Sequence, residues 1–163
     1  MIFVTLGTDE HPFARLVQEL DRLVGERKIR ERVVVQRGFT PYSGKNLETH
    51  EILAFGELVK FIKKARVVIT HGGPGSIALC LAHGKIPIVV PRDPKLGEIV
   101  DDHQLKFVRF LEKKGSIVAV YQVEDLERII REYRASEAKY DFQKRTKEFL
   151  EKFENLLAER GLL

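Results

Sequence analysis

Residues 67–76 read Val-Val-Ile-Thr-His-Gly-Gly-Pro-Gly-Ser, and this stretch carries the clearest chemistry in the chain. Its apolar, β-branched start has the character of a strand covered on both faces, and its glycines that of a turn opening a helix. Gly72, Gly73 and Gly75 lack a Cβ, so backbone N–H groups can come close to a ligand there. Ser76 is the predicted N-cap of a helix that starts near residue 77. Free amides and the helix dipole favour an anion at such a place, each charge interaction contributing about 0.3–1 kcal/mol. A phosphate or diphosphate is the predicted ligand, although a tight turn without any ligand suits the same residues. The stretch is neither a Walker A loop, which ends in Gly-Lys-Ser/Thr, nor a GxGxxG dinucleotide fingerprint.

Two other segments carry candidate groups. Residues 5–11, Thr-Leu-Gly-Thr-Asp-Glu-His, place Gly7 and the Thr8 hydroxyl where a second phosphate oxygen could be held, or else form an ordinary strand-to-helix turn. Residues 91–104 are more polar. There Glu98, Asp102, His103 and Gln104 offer carboxylate, imidazole and amide groups suited to sugar hydroxyls. Asp101 and Asp102 equally suit the first turns of a helix, where they complement its dipole. His11, His71 and His103 are too scattered for a metal site, no HxxxH or CxxC occurs, and no metal is predicted. Without a GxSxG elbow, a hydrolase triad has no support either.

The elements that position these groups alternate between strand and helix. Strands are predicted over residues 2–6, 33–36, 51–54, 67–70, 87–90 and 117–120. Helices are predicted over 13–24, 57–64, 77–83, 98–114 and 123–133. This order implies an α/β, Rossmann-like parallel sheet with helices on both faces over residues 1–134. Ligands of such sheets bind beyond the carboxyl ends of the strands, where the loops around Gly7, Phe55, His71 and residues 91–104 converge. Residues 135–163 form a second unit, with an amphipathic helix over about 139–159. Phe142, Phe149, Phe153, Leu156 and Leu157 lie on its apolar stripe, expected to pack on the domain or on a partner.

The chain of 163 residues is 44% hydrophobic and 32% charged, values that fit one soluble globular domain. No apolar run reaches the length of a membrane span, and the first residues read as a strand instead of a signal peptide. Cys80 is the single cysteine, which excludes an internal disulfide, fits a reducing cytoplasm and is assigned packing in the helix after the glycine turn. The net charge of +4 is spread without a basic stripe, so nucleic acid is not an expected partner.

Taken together, these segments resemble the C-terminal-domain family of glycosyltransferase family 28. The likeness is to its short stand-alone members: the donor-binding subunit of the dolichol-linked N-acetylglucosamine transferase and PssE-like exopolysaccharide subunits. It is carried by Ile2-Phe3-Val4-Thr5-Leu6-Gly7-Thr8, Val35-Gln36-Arg37-Gly38, the glycine turn, Gly84-Lys85-Ile86-Pro87-Ile88-Val89-Val90-Pro91, and Gly97-Glu98-Ile99-Val100-Asp101-Asp102-His103-Gln104.

The resemblance implies the C-terminal half of a GT-B glycosyltransferase: an inverting UDP-sugar enzyme, of UDP-N-acetylglucosamine or UDP-glucose type, acting on a lipid-linked acceptor. The other half would be a membrane-anchored partner, keeping this chain cytoplasmic and peripherally membrane-associated, with no cofactor beyond the sugar donor. By position, the backbone near Phe55 would meet uracil. Gly7, Thr8 and Gly72, Gly73, Pro74, Gly75 and Ser76 would hold the diphosphate. His103 and Gln104 would face the hexose, with Glu98 a further candidate for sugar or ribose. Many relatives place a ribose-binding glutamate where this chain has Leu79. The general base would be His71 or His11, or a residue of the partner. Other readings are a non-catalytic nucleotide-sugar-binding module and a homodimer of the isolated chain. A redox domain fits least, because the second strand ends in Gln-Arg instead of an acidic residue.

Overall fold

The computed structural model describes residues 1–133. The second unit expected at 135–163, with the amphipathic helix predicted in it, lies outside them. Six parallel strands run in the order β3-β2-β1-β4-β5-β6: β1 (Ile2–Thr5), β2 (Val33–Gln36), β3 (Glu48–His50), β4 (Val67–His71), β5 (Ile88–Val90) and β6 (Val118–Ala119). Five helices connect or follow them: α1 (Ala14–Gly25), α2 (Phe55–Lys64), α3 (Pro74–Ala82), α4 (His103–Lys113) and α5 (Leu126–Glu132).

Alternation along β1 sends its side chains into two separate cores. Ile2 and Val4 join Leu16, Val17, Leu20 and Leu23 of α1, whereas Phe3 joins Ile62 of α2 and Cys80 of α3. The Phe3 and Phe61 rings stack with centroids 5.2 Å apart. A third cluster, built on Val89, Ile77, Leu81, Val108 and Ile117, seats α3 and α4 beside β5. Cys80 is fully buried, and burial pushes its thiol up to about 12, which suits packing and no reactivity.

Several boundaries depart from the sequence reading, each for a local reason. The third strand is Glu48–His50, before the predicted 51–54, because the half-buried edge residues Glu48, Thr49 and His50 pair with Val34, Val35 and Gln36. An edge strand of polar residues leaves no apolar signature. Helix α2 starts at Phe55, two residues early.

Helix α3 starts at Pro74, so Ser76 lies inside the first turn and Gly73 is the N-cap without a side-chain cap bond. Proline at the first helical position, with φ already near helical, accounts for the early start. Helix α4 starts at His103 instead of residue 98: Gly97 adopts left-handed φ of 69° after a 3₁₀ turn over Pro94–Leu96, and Glu98 is drawn inward. The last strand shortens to Val118–Ala119, and the final helix is split into a 3₁₀ turn at Val123–Asp125 and then α5.

Leu20 is wholly buried between α1 and the sheet. Leu20→Ala is expected to lower unfolding free energy by about 2–5 kcal/mol, read from the shift of the urea midpoint at unchanged slope.

Candidate functional site

The strand order reverses direction between β1 and β4, and the connections leaving these two neighbours diverge to opposite sides of the sheet. That divergence opens the crevice in which open α/β sheets take ligands. Thr5 and Thr70 are paired at its floor, so Gly7 and residues 71–73 face each other just above.

The glycines here make room for the imidazole of His71. A Cβ on Gly7 would stand 2.6 Å from His71 Cε1, and one on Gly73 would collide with His71 Nε2. Gly7 also needs its positive φ of 74°. His71 is thus buried between two backbone loops, its Nδ1 3.4 Å from the Thr70 hydroxyl. Burial, and then the charge of Arg92, push it down to about 4. It is neutral at pH 7 and a weak base.

The start of α3 is open. Its first intrahelical bond runs from Ile77 N–H to Gly73 O at 3.2 Å, which leaves the Gly75 and Ser76 amides ahead of the helical ladder. Pro74 and Gly75 are exposed, and a Cβ on Gly75 would meet nothing within 4 Å. Gln104, in the first turn of α4, closes the far side: its Cβ lies 2.9 Å from where a Gly72 Cβ would stand, and its Oε1 accepts from Arg92 N–H at 3.3 Å. The structure therefore brings Gly7, His71, Gly72, Gly73 and Gln104 together, with Thr8, Pro74, Gly75 and Ser76 on the same mouth.

Other predicted residues sit differently. Glu98 is only 5% exposed: one carboxylate oxygen takes Arg15 Nε at 2.8 Å, and the other takes Asp93 N–H at 2.9 Å. With both oxygens so engaged, Glu98 ties the loop to Arg15 and to Asp93 in this structure. His103 is exposed and pairs with Asp101 at 2.8 Å, and Asp102 pairs with Lys106 at 2.9 Å. The His103 amide and ring hold Asp101 below the usual carboxylate range, as Lys106 does for Asp102. Both pairs lie on the rim.

His11 donates its amide to Asp9 Oδ1 at 2.9 Å and sets Nδ1 2.8 Å from the same oxygen. Burial works against the Asp9 charge, but these His11 bonds and Arg92 prevail and lower its pKa. Phe55, at the start of α2, is 70% exposed. Leu79 packs against the cluster around Phe3.

Sequence reasoning passed over Arg92, Arg15 and Gln36. Arg92 is 1% exposed and donates to the carbonyls of Leu6, His11 and Glu98. Gln36, also buried, points Nε2 at Gly7 O, 3.5 Å away, while its Oε1 has no partner. A charged residue two positions after an apolar strand, behind Pro91, was the available signal for Arg92, but side-chain burial is invisible in a linear string. Among the described residues no three His, Cys, Asp or Glu side chains gather as a metal-holding group. Nor is any helix among them long and apolar enough to cross a membrane.

A wholly parallel sheet in this order, with a glycine turn and an open helix start at its crevice, defines a Rossmann-like α/β domain. The chain belongs to the glycosyltransferase family 28 C-terminal domain family, whose domain matches residues 1–160.

Its fold is similar to a solved structure described as the glycotransferase of kitacinnamycin, at 19% identity and a TM-score of 0.57, over 83% of this chain and 35% of that one. It also aligns with the glycosyltransferase SnogD from Streptomyces nogalater, at 24% identity and a TM-score of 0.43, over 56% of this chain and 25% of that one. The chain thus spans about a third or less of the length of these two proteins. None of the curated proteins compared matches it. The sheet is that of the C-terminal, Rossmann-like half of GT-B glycosyltransferases.

The buried His71 makes a pH prediction. An unfolded chain takes up this proton near 6.5, whereas folded His71 resists until about 4. The unfolded state binds more protons in that window, so stability falls as the pH drops through it, by roughly 3 kcal/mol at most. Urea unfolding at pH 7 and pH 4.5 should show the loss in the wild type, and His71→Gln should lack this component.

Proposed function

We propose that the chain is the donor-binding half of an inverting glycosyltransferase that uses a UDP-sugar, of UDP-N-acetylglucosamine or UDP-glucose type. The observation carrying this reading is the switch-point mouth, where the exposed start of α3 opens beside Gly7 with nothing in front of Gly75. The Gly75 and Ser76 amides and the α3 dipole suit the diphosphate, with Thr8 reaching it from the first loop. During transfer the same donors would stabilise charge growing on the leaving diphosphate, because they are aimed before the reaction starts. Phe55 would place its backbone beside the uracil.

The hexose would lie against the start of α4. Gln104 is already inside the mouth, and the exposed Asp102–Lys106 and His103–Asp101 pairs are weak enough to be exchanged for sugar hydroxyls. Of the two candidate bases, His71 is too buried and too weak, so its place is in the floor of the site. His11, one-third exposed and oriented by Asp9, has the arrangement of a general base with its orienting carboxylate. A base supplied by the other half of the enzyme is the alternative.

That other half would be a membrane-anchored subunit carrying the lipid-linked acceptor. In support, Phe39, Ile52, Phe55, Leu96 and Val100 are all exposed, and all lie in or at the connections leaving the carboxyl ends of strands. An apolar rim around a site suits a partner surface.

Gly75→Asp tests the reading cleanly, since its side chain enters open space and an acidic group suits the first helical turn. A change at Gly73 would instead displace His71. Calorimetry is expected to show UDP binding to the wild type and a loss of roughly 10–100-fold in Gly75→Asp, about 1–3 kcal/mol, with the melting temperature little changed. Equal UDP affinity in both proteins would remove the phosphate role of this turn.

A further inference from the structure

Arg92 leads the fully buried side chains by volume, and its charge is not neutralised by contact. Nη1 donates to His11 O at 2.5 Å and Glu98 O at 3.0 Å, and Nη2 to Leu6 O at 3.1 Å. All three acceptors are backbone carbonyls. Nε is buried with no partner. Among the described residues Arg92 forms no ion pair, and Asp9 and Glu98 act on it only through space.

The contrast with Arg15 is instructive, because both guanidiniums lie over the Phe13 ring, 4.9 Å and 5.1 Å from its centroid. Arg15 takes the Glu98 carboxylate, and Arg92 is left with that residue's carbonyl. A guanidinium stays protonated, and burying one without a carboxylate is costly unless another anion balances it. The position of Arg92 indicates which anion that is. Its partner Leu6 immediately precedes Gly7, its own amide is held by Gln104, and its charge reaches His71. All three belong to the switch-point mouth.

We propose that Arg92 is a positioning residue that gives this mouth its preference for a diphosphate. Its charge, paired with no carboxylate by contact, draws the anion without touching it, and its fork holds the first and fifth loops in one geometry. The inference rests on the donor-binding reading above. It adds to that reading the source of phosphate selectivity, a buried cation behind the backbone amides.

The test compares two ligands, uridine and UDP, by NMR titration of the full chain. The quantity of interest is the factor by which UDP binds more tightly than uridine. Arg92→Met keeps the apolar stem and removes the charge. Its factor is expected to fall tenfold or more, with uridine affinity within threefold of the wild type. Arg92→Lys keeps a charge and is expected to hold the factor within threefold.

Uridine and UDP weakened alike in Arg92→Met, or a factor as low in Arg92→Lys as in Arg92→Met, overturns the proposal. A second measurement needs no variant: the Arg92 15Nε resonance of the wild type should move with UDP and stay in place with uridine. A resonance unmoved by UDP also overturns it. Failure of the wild type to bind UDP overturns the donor-binding reading itself, whereas UDP binding with an unchanged factor in Arg92→Met overturns only the role of Arg92.

Discussion

The guanidinium of Arg92 reaches three backbone carbonyls in two connections that are far apart in sequence: Leu6 and His11 after β1, and Glu98 after β5. Around it, Arg15 binds the Glu98 carboxylate and the Pro91 carbonyl, and Phe13 presents its ring to both cations. Loops at the carboxyl end of a sheet have few apolar contacts of their own, so charge-assisted bonds are an effective way to hold them. Because these bonds are buried, salt and water weaken them little. The geometry of the crevice follows from this tie.

Within that frame, the glycines of the two facing loops have two duties. Gly7 and Gly73 leave space for the His71 ring, while Gly75 leaves the mouth of α3 unobstructed. In the proposed reading, only the second bears directly on a ligand. His71 is a neutral spacer that keeps two backbone loops apart at a fixed distance, and its low basicity follows from burial beside a cation. A protonated ring there would face Arg92, and the fold disfavours it.

In the proposed reading, the exposed apolar side chains on the carboxyl-end connections bear on how a donor-binding half would operate. Bridging a donor domain to an acceptor held elsewhere requires a second surface. Phe39, Ile52, Phe55, Leu96 and Val100 are exposed in or at the connections that leave the carboxyl ends of the strands, and nothing stands within 4 Å of a Cβ built on Gly75. In the proposed reading, docking of the partner there would also exclude water from the diphosphate, which strengthens every polar contact made in the crevice.

The alternation of apolar runs with helical periodicity was enough to indicate a parallel, Rossmann-like sheet and to place the glycine turn between β4 and α3, because these patterns are local and repeat over many residues. It was not enough for Glu48–His50, whose pairing with β2 is a long-range hydrogen-bond pattern on a polar edge. Nor could spacing tell that Ser76 lies past the helix start, which Pro74 sets, or that residues 98–102 stand outside α4. The residue types at the mouth were legible in the chain. Their division of labour was decided in three dimensions, since burial of Arg92, commitment of Glu98 to Arg15 and enclosure of His71 by two glycines each depend on segments that meet only when the sheet assembles.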